Sequence, residues 1–273
     1  MFERLVTALL SAAFFLTASG GEIVCEAKGF AGHLQGIAAD KSGIYWSFYD
    51  TVVKTDYSGK ELARVGIPRH AGDLCLAEGK VHVSVILYDK KMAKREGGTG
   101  WVYICDTDLK FLRKVAIPDT PRPDGITFLN GKFYIAGDDF GKAPHPVNTI
   151  SVYDKNFKFE KKLTVDIGKP TRYGAQTLNA VDGRILAGFY ASKDNSVFLE
   201  LPELKKVGTF PLSVNVGMAP VPKKLAGERE LFLIARITGK KGDRGGKALV
   251  RERRGEKLVP AELQKLAGSM IHF

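Results

Sequence analysis

The stretch His33–Asp56, HLQGIAADKSGIYWSFYDTVVKTD, reads as three short strands in succession. Gln35–Ala39, Ile44–Phe48 and Val52–Asp56 are rich in apolar and β-branched residues. Asp40-Lys-Ser-Gly43 and Tyr49-Asp-Thr51 carry the turn residues between them. A fourth strand, Glu61–Ile67, follows the Ser58-Gly59 turn. Four short antiparallel strands in one local unit make a propeller blade.

The unit recurs. Blade starts read HLQGI (33–37), HAGDL (70–74), RPDGI (122–126), YGAQT (173–177) and VNVGM (214–218). Their fifth residues, Ile37, Leu74, Ile126, Thr177 and Met218, are spaced 37, 52, 51 and 41 residues apart, as four-stranded blades require. Second strands follow as GIYWSF, KVHVSVI, KFYIAG, RILAGFY and ELFLIAR. Third strands follow as TVVKTD, GWVYICD, TISVYD, SVFLEL and KALVRE, and fourth strands include ELARVGI, FLRKVAI, KKLTVDI and KKVGTF. The segment 22–30, EIVCEAKGF, looks like a lone fourth strand placed before the first blade. It is expected to complete the last blade, because closing the ring removes exposed edges. The predicted fold is therefore all-β: a single-domain propeller of five four-stranded antiparallel blades, closed by the N-terminal strand. Six blades are the alternative, with the tail 258–273 contributing to the sixth.

Residues 1–20, MFERLVTALLSAAFFLTASG, have the form of a secretory signal: Arg4, a twelve-residue apolar run from Leu5 to Leu16, then Ala18-Ser19-Gly20. The run is shorter than the ~17 residues a membrane span needs. The expectation is a cleaved signal over 1–20, a propeller domain over 21–273, no transmembrane segment, and a secreted or periplasmic product. Three cysteines, Cys25, Cys75 and Cys105, are an odd, sparse set. They suit buried thiols better than a disulfide framework.

The net charge is +11, and the excess is local: twelve Lys/Arg against five Asp/Glu lie between Lys223 and Lys257. Such a patch suits an anionic partner, a glycan or a lipid surface, or is simply a solvated face. No nucleic-acid-binding motif is present, so nucleic acid is not expected as a partner. A monomer is expected.

QGIAADKSGIYWSF (35–48) and PDGITFLNGKFYIAGDD (123–139) resemble the blade starts of the NHL-repeat and gluconolactonase-type propellers. Those families repeat a small-residue-Gly-Ile strand, an Asp/Gly turn and an Ile-Tyr strand. The resemblance implies architecture. The Asn-His-Leu triplet is missing, and no gluconolactonase metal set can be placed on the chain.

In a propeller, the loops entering first strands and leaving second strands open on one face. The entries supply His33, Gln35, His70, Asp73, Arg122, Asp124, Tyr173, Gln176 and Asn215. The exits supply Tyr49, Asp50, Tyr88, Asp89, Asp138, Asp139, Tyr190 and Arg236. This predicts a polar funnel that binds a carbohydrate or another small anionic ligand. Four readings follow. Carboxylates among Asp73, Asp124, Asp138 and Asp139 can act as acid and base on a glycosidic bond, as in five-bladed glycosidases that draw carboxylates from successive blades; alternatively they cap turns. His33 and His70 can hold a divalent metal with Asp73 or Asp124, or supply a base; alternatively they bond neighbouring blades. Arg122 can hold a uronate carboxyl while Tyr173 or His70 abstracts the adjacent proton. Tyr49, Tyr88 and Tyr190 can stack on a sugar, whereas Trp46, Phe48 and Trp101 suit the core. The catalytic candidates are thus Asp73, Asp124, His70 and Tyr173. The binding candidates are His33, Gln35, Arg122, Asp138, Asp139, Gln176, Tyr190, Asn215 and Arg236. The rival reading is a binding or scaffold propeller without chemistry, contacting a protein or an anionic surface.

Overall fold

The computed structural model describes residues 21–68, 70–89, 91, 94, 98–137, 144, 145, 147–190, 195–240 and 244–263. Its strands form five blades. Blade 1 is β2 (Leu34–Asp40), β3 (Gly43–Phe48), β4 (Thr51–Thr55) and β5 (Glu61–Gly66). Blade 2 is β6 (Ala71–Ala77), β7 (Lys80–Ile86), β8 (Gly100–Asp106) and β9 (Phe111–Ala116). Blade 3 is β10 (Ile126–Leu129), β11 (Lys132–Ala136), β12 (Asn148–Asp154) and β13 (Phe159–Val165). Blade 4 is β14 (Arg172–Val181), β15 (Arg184–Tyr190), β16 (Ser196–Glu200) and β17 (Lys205–Thr209).

Blade 5 joins the two ends of the described chain. Its inner strands are β18 (Met218–Pro220), β19 (Leu231–Thr238) and β20 (Gly245–Arg254). Its outer position is shared by β1 (Glu22–Val24), paired with Leu249–Lys247, and β21 (Lys257–Pro260), paired with Arg254–Arg251. The tail that suggested a sixth blade therefore begins as a hairpin on the fifth. A four-residue helix, α1 (Lys223–Ala226), lies between β18 and β19. No helix among the described residues is long and apolar enough to cross a membrane.

Alternation in the middle strands builds the ring. In β3, Ile44, Trp46 and Phe48 face blade 5 while Tyr45 faces blade 2. In β19, Leu231, Leu233 and Ala235 face blade 1 while Phe232 and Ile234 face blade 4. Five apolar clusters result, one at each blade interface. Trp46, Phe48 and Trp101 are core residues as expected, and Trp46 Nε1 donates to Thr55 Oγ1 at 2.9 Å. The three cysteines are buried free thiols. His82 is packed against Phe133, ring centres 4.8 Å apart.

The turns repeat with the blades. Asp56, Asp106 and Asp154 each accept the backbone N–H groups two and four residues on. The hairpins between first and second strands of blades 2, 3 and 4 turn at Glu78-Gly79, Asn130-Gly131 and Asp182-Gly183, with both φ angles positive, the geometry that matches strand twist.

One offset differs from the sequence reading. Two bulges in β14 bring Leu178, rather than Thr177, level with Ile37, Leu74 and Met218 around the axis.

Candidate functional site

The five first strands meet so closely at the axis that glycine is required there. A Cβ on Gly36 would lie 2.8 Å from Asp73 Cα, and one on Gly217 would lie 2.8 Å from Ile37 N. Asp73 occupies the space these glycines leave. Its Oδ2 accepts the Leu178 N–H at 2.9 Å and the Ile126 N–H at 3.3 Å, so one carboxyl ties blade 2 to blades 3 and 4. Asp73 is 1% exposed and Oδ1 has no partner among the described residues. Burial pushes its pKa well above the ordinary carboxylate range, against the lowering effect of the N–H donors. The expectation that Asp73 faces a ligand is not met: its carboxyl is enclosed among backbone groups on the axis.

Polar side chains gather at the end of the axis where the first strands begin, here called the polar mouth. Blade 1 supplies His33, Gln35 and Tyr49; blade 2, His70 and Tyr88; blade 3, Arg122 and Asp124; blade 4, Tyr173, Gln176 and Tyr190. Gln35 Nε2 and His70 Nε2 are 3.0 Å apart. The His70 ring meets Tyr49 edge-on at 4.6 Å and lies 5.8 Å from Tyr88. Burial lowers the His70 pKa to about 4, with His33 and Arg122 adding to the effect, so the imidazole is neutral at pH 7. The Arg122 guanidinium lies 5.9 Å from the Tyr88 ring centre, and its positive charge works against the burial that raises the Tyr88 pKa.

Asp124 links this group to blade 4. Its charge adds to burial in raising the pKa of Tyr88, and of Tyr190 to about 12. Its backbone carbonyl accepts from Ser84 Oγ and from the Asp73 N–H. Tyr190 and Tyr173 meet edge-on at 6.2 Å. Tyr173 holds φ at 61°. The other described non-glycine residues with positive φ lie in hairpin turns, whereas Tyr173 stands at the entry to β14. Gln176 Nε2 donates to the Tyr173 carbonyl at 3.0 Å and holds that entry in place.

Blade 5 completes the rim. Ser213 Oγ donates to Asn215 Oδ1 at 2.7 Å and accepts from Asn195 Nδ2 at 3.0 Å. Arg236 Nη1 donates to the carbonyls of Ser213 and Ala235. Burial, with Arg251 nearby, lowers the Arg236 pKa. Ser213 and Asn195 escaped the sequence reading, although Ser213 sits two residues before Asn215. Asp138 and Asp139 lie outside the described residues. The proposed metal set does not assemble, because no three His, Cys, Asp or Glu side chains converge among the described residues.

The opposite end of the axis is apolar. A cavity of about 250 Å³ is lined by Leu74, Phe128, Leu178 and Met218 among residues of all five first strands. A cleft of about 500 Å³ lies beside it, between Asp182 of blade 4 and Arg229 of blade 5.

No protein-family model matches this chain, and no curated protein matches it in sequence. Among solved structures it is similar to the GH43_1 enzyme from Xanthomonas citri complexed with xylotriose. The match covers 91% of this chain and 96% of that one, at a TM-score of 0.54 and 12% identity. A second structure of the GH43_1 enzyme matches over the same shares at 0.52 and 11%. The Dos1 propeller matches over 74% of this chain and 52% of that one, at 0.43 and 13%. At these identities the likeness is one of fold.

Proposed function

We propose that the polar mouth is a carbohydrate-binding site that operates outside the cytoplasm, once residues 1–20 have served as an export signal. The observation that carries this is the gathering of Tyr49, Tyr88, Tyr173 and Tyr190 with Gln35, His70, Arg122 and Asp124 from four blades on one face. A sugar ring has apolar faces that stack on phenol rings and a rim of hydroxyls that seek amide, imidazole and carboxylate partners. A propeller of the same fold holds xylotriose. The likeness to NHL-repeat blade starts is taken as one of blade architecture.

Catalysis by elimination is the second reading. A neutral imidazole at His70 beside Arg122 favours it, since a base must be unprotonated to remove a proton. The carboxylate pair Asp73–Asp124 does not support hydrolysis, because Asp73 is enclosed on the axis.

A thermal-shift screen of the purified protein against neutral and acidic oligosaccharides tests the binding reading. A ligand at a hundred times its Kd stabilises by about 2.7 kcal/mol, roughly 5–10 °C for a domain this size. The shift is expected to vanish in Tyr88→Ala, whose ring is 52% exposed and contributes little to folding. No shift across the panel overturns the reading. Mass spectrometry of exported protein starting at Gly21 tests the signal.

A further inference from the structure

We infer that the ligand of the polar mouth carries a carboxylate, and that Arg122 is the residue that selects it: the substrate class is a hexuronate-containing glycan. This rests on the carbohydrate reading above and adds its charge.

Arg64 on β5, Arg229 just before β19, and Arg253 and Arg254 at the end of β20 are each bonded to a carboxylate of the same chain. Arg251 on β20 donates to the Val250 carbonyl. Arg122 is half-buried at the mouth, and among the described residues no carboxylate lies within ion-pair distance of it. Its neighbours are the Tyr88 ring and the His70 imidazole. Arg236 on the blade 5 rim is likewise half-buried and, among the described residues, bonds only to backbone carbonyls. A guanidinium partly drawn out of water, with no ion-pair partner among the described residues, costs free energy that an incoming anion returns.

The shape of the site narrows the anion. Guanidinium presents parallel N–H groups that match a planar carboxylate two-to-two. The Tyr88 ring lies to one side of the fork, and the N–H donors face the ligand. His70 is uncharged and Asp124 adds a negative charge to the same opening. One half-buried fork with a carboxylate in the same opening suits a monoanion better than a phosphate dianion. Tyr49 and Tyr190 then flank the position where the ring bearing the carboxylate would sit.

The test compares three hexuronate oligomers of different linkage with their methyl esters, by calorimetry on the whole protein. Esterification removes the charge and leaves the protein untouched, so the comparison does not depend on a variant folding. At least one acid is expected to bind tenfold or more tightly than its ester, about 1.4 kcal/mol, with the preference shrinking as salt rises. Arg122→Gln should bind acid and ester alike, and Arg122→Lys should retain only part of the preference. Equal binding of acid and ester, or a preference that survives in Arg122→Gln, overturns the inference and leaves the carbohydrate reading standing. No binding of any acid, ester or neutral oligosaccharide overturns both. Tighter binding of inorganic phosphate or a sugar phosphate than of any uronate also overturns the inference, and makes the mouth a phosphate site.

Discussion

Replacing Asp73 tests how the axis is closed. Asp73→Ala removes the acceptor of two buried N–H groups, on Ile126 and Leu178. Leaving a buried donor unmade costs about 1–3 kcal/mol each, so the loss should be about 2–6 kcal/mol, or roughly 4–24 °C in Tm. Asp73→Asn keeps an oxygen for those donors and removes the charge. Burial raises the carboxyl pKa in the folded protein. The carboxyl therefore stays protonated in the fold at a pH where it ionises in the unfolded chain, and wild-type stability is full below about pH 4. It falls by about 1.4 kcal/mol per pH unit from there until the folded value is reached. The Asn variant lacks this fall. Urea denaturation at pH 4, 5, 6 and 7 should show wild type and Asp73→Asn close at pH 4, with the variant increasingly the more stable above it. Parallel curves for the two proteins would refute the raised pKa. An Asn variant as weak as the Ala variant would show that the backbone donors require the negative charge.

Two further outcomes follow from the same geometry. Gly36→Ala sets a Cβ 2.8 Å from Asp73 Cα, where backbone must yield, while Gly66→Ala meets nothing within 4 Å. The first should cost roughly 1–3 kcal/mol or more and the second stay within about 1 kcal/mol of wild type, measured by urea denaturation; equal effects would sink the close-approach argument. The His70 imidazole should titrate near 4 by proton NMR, with stability lost as pH falls from about 6.5, where the unfolded imidazole protonates, towards that value. An apparent pKa near 6.5 in the folded protein would place His70 in open water and remove the neutral base from the mouth.

The blades were legible because their information is redundant. A strand in β3 or β19 must serve two interfaces, so its apolar residues alternate without a polar face, and the pattern recurs at each blade. Closure was legible for the same reason: Glu22–Val24 has a fourth strand's composition and no partners of its own nearby. The site was less so, because a site depends on which level of the axis a residue reaches, and one residue of offset decides that. Asp73 and Asp124 both open a blade in sequence. In HAGDL the aspartate holds the fourth place, which is glycine in HLQGI, RPDGI and VNVGM; in RPDGI it holds the third, beside Gln35. The fourth place is the level where first strands touch, so Asp73 fills the axis and bonds to backbone across blades. The third place lies one step towards the mouth, where Asp124 influences Tyr88 and Tyr190. The β14 bulges hid the same logic in blade 4, since a strand of ten residues with two irregularities cannot be aligned by counting. The two aspartates are therefore separable by substitution: Asp73 governs how the ring closes, and Asp124 the charge beside Tyr88 and Tyr190.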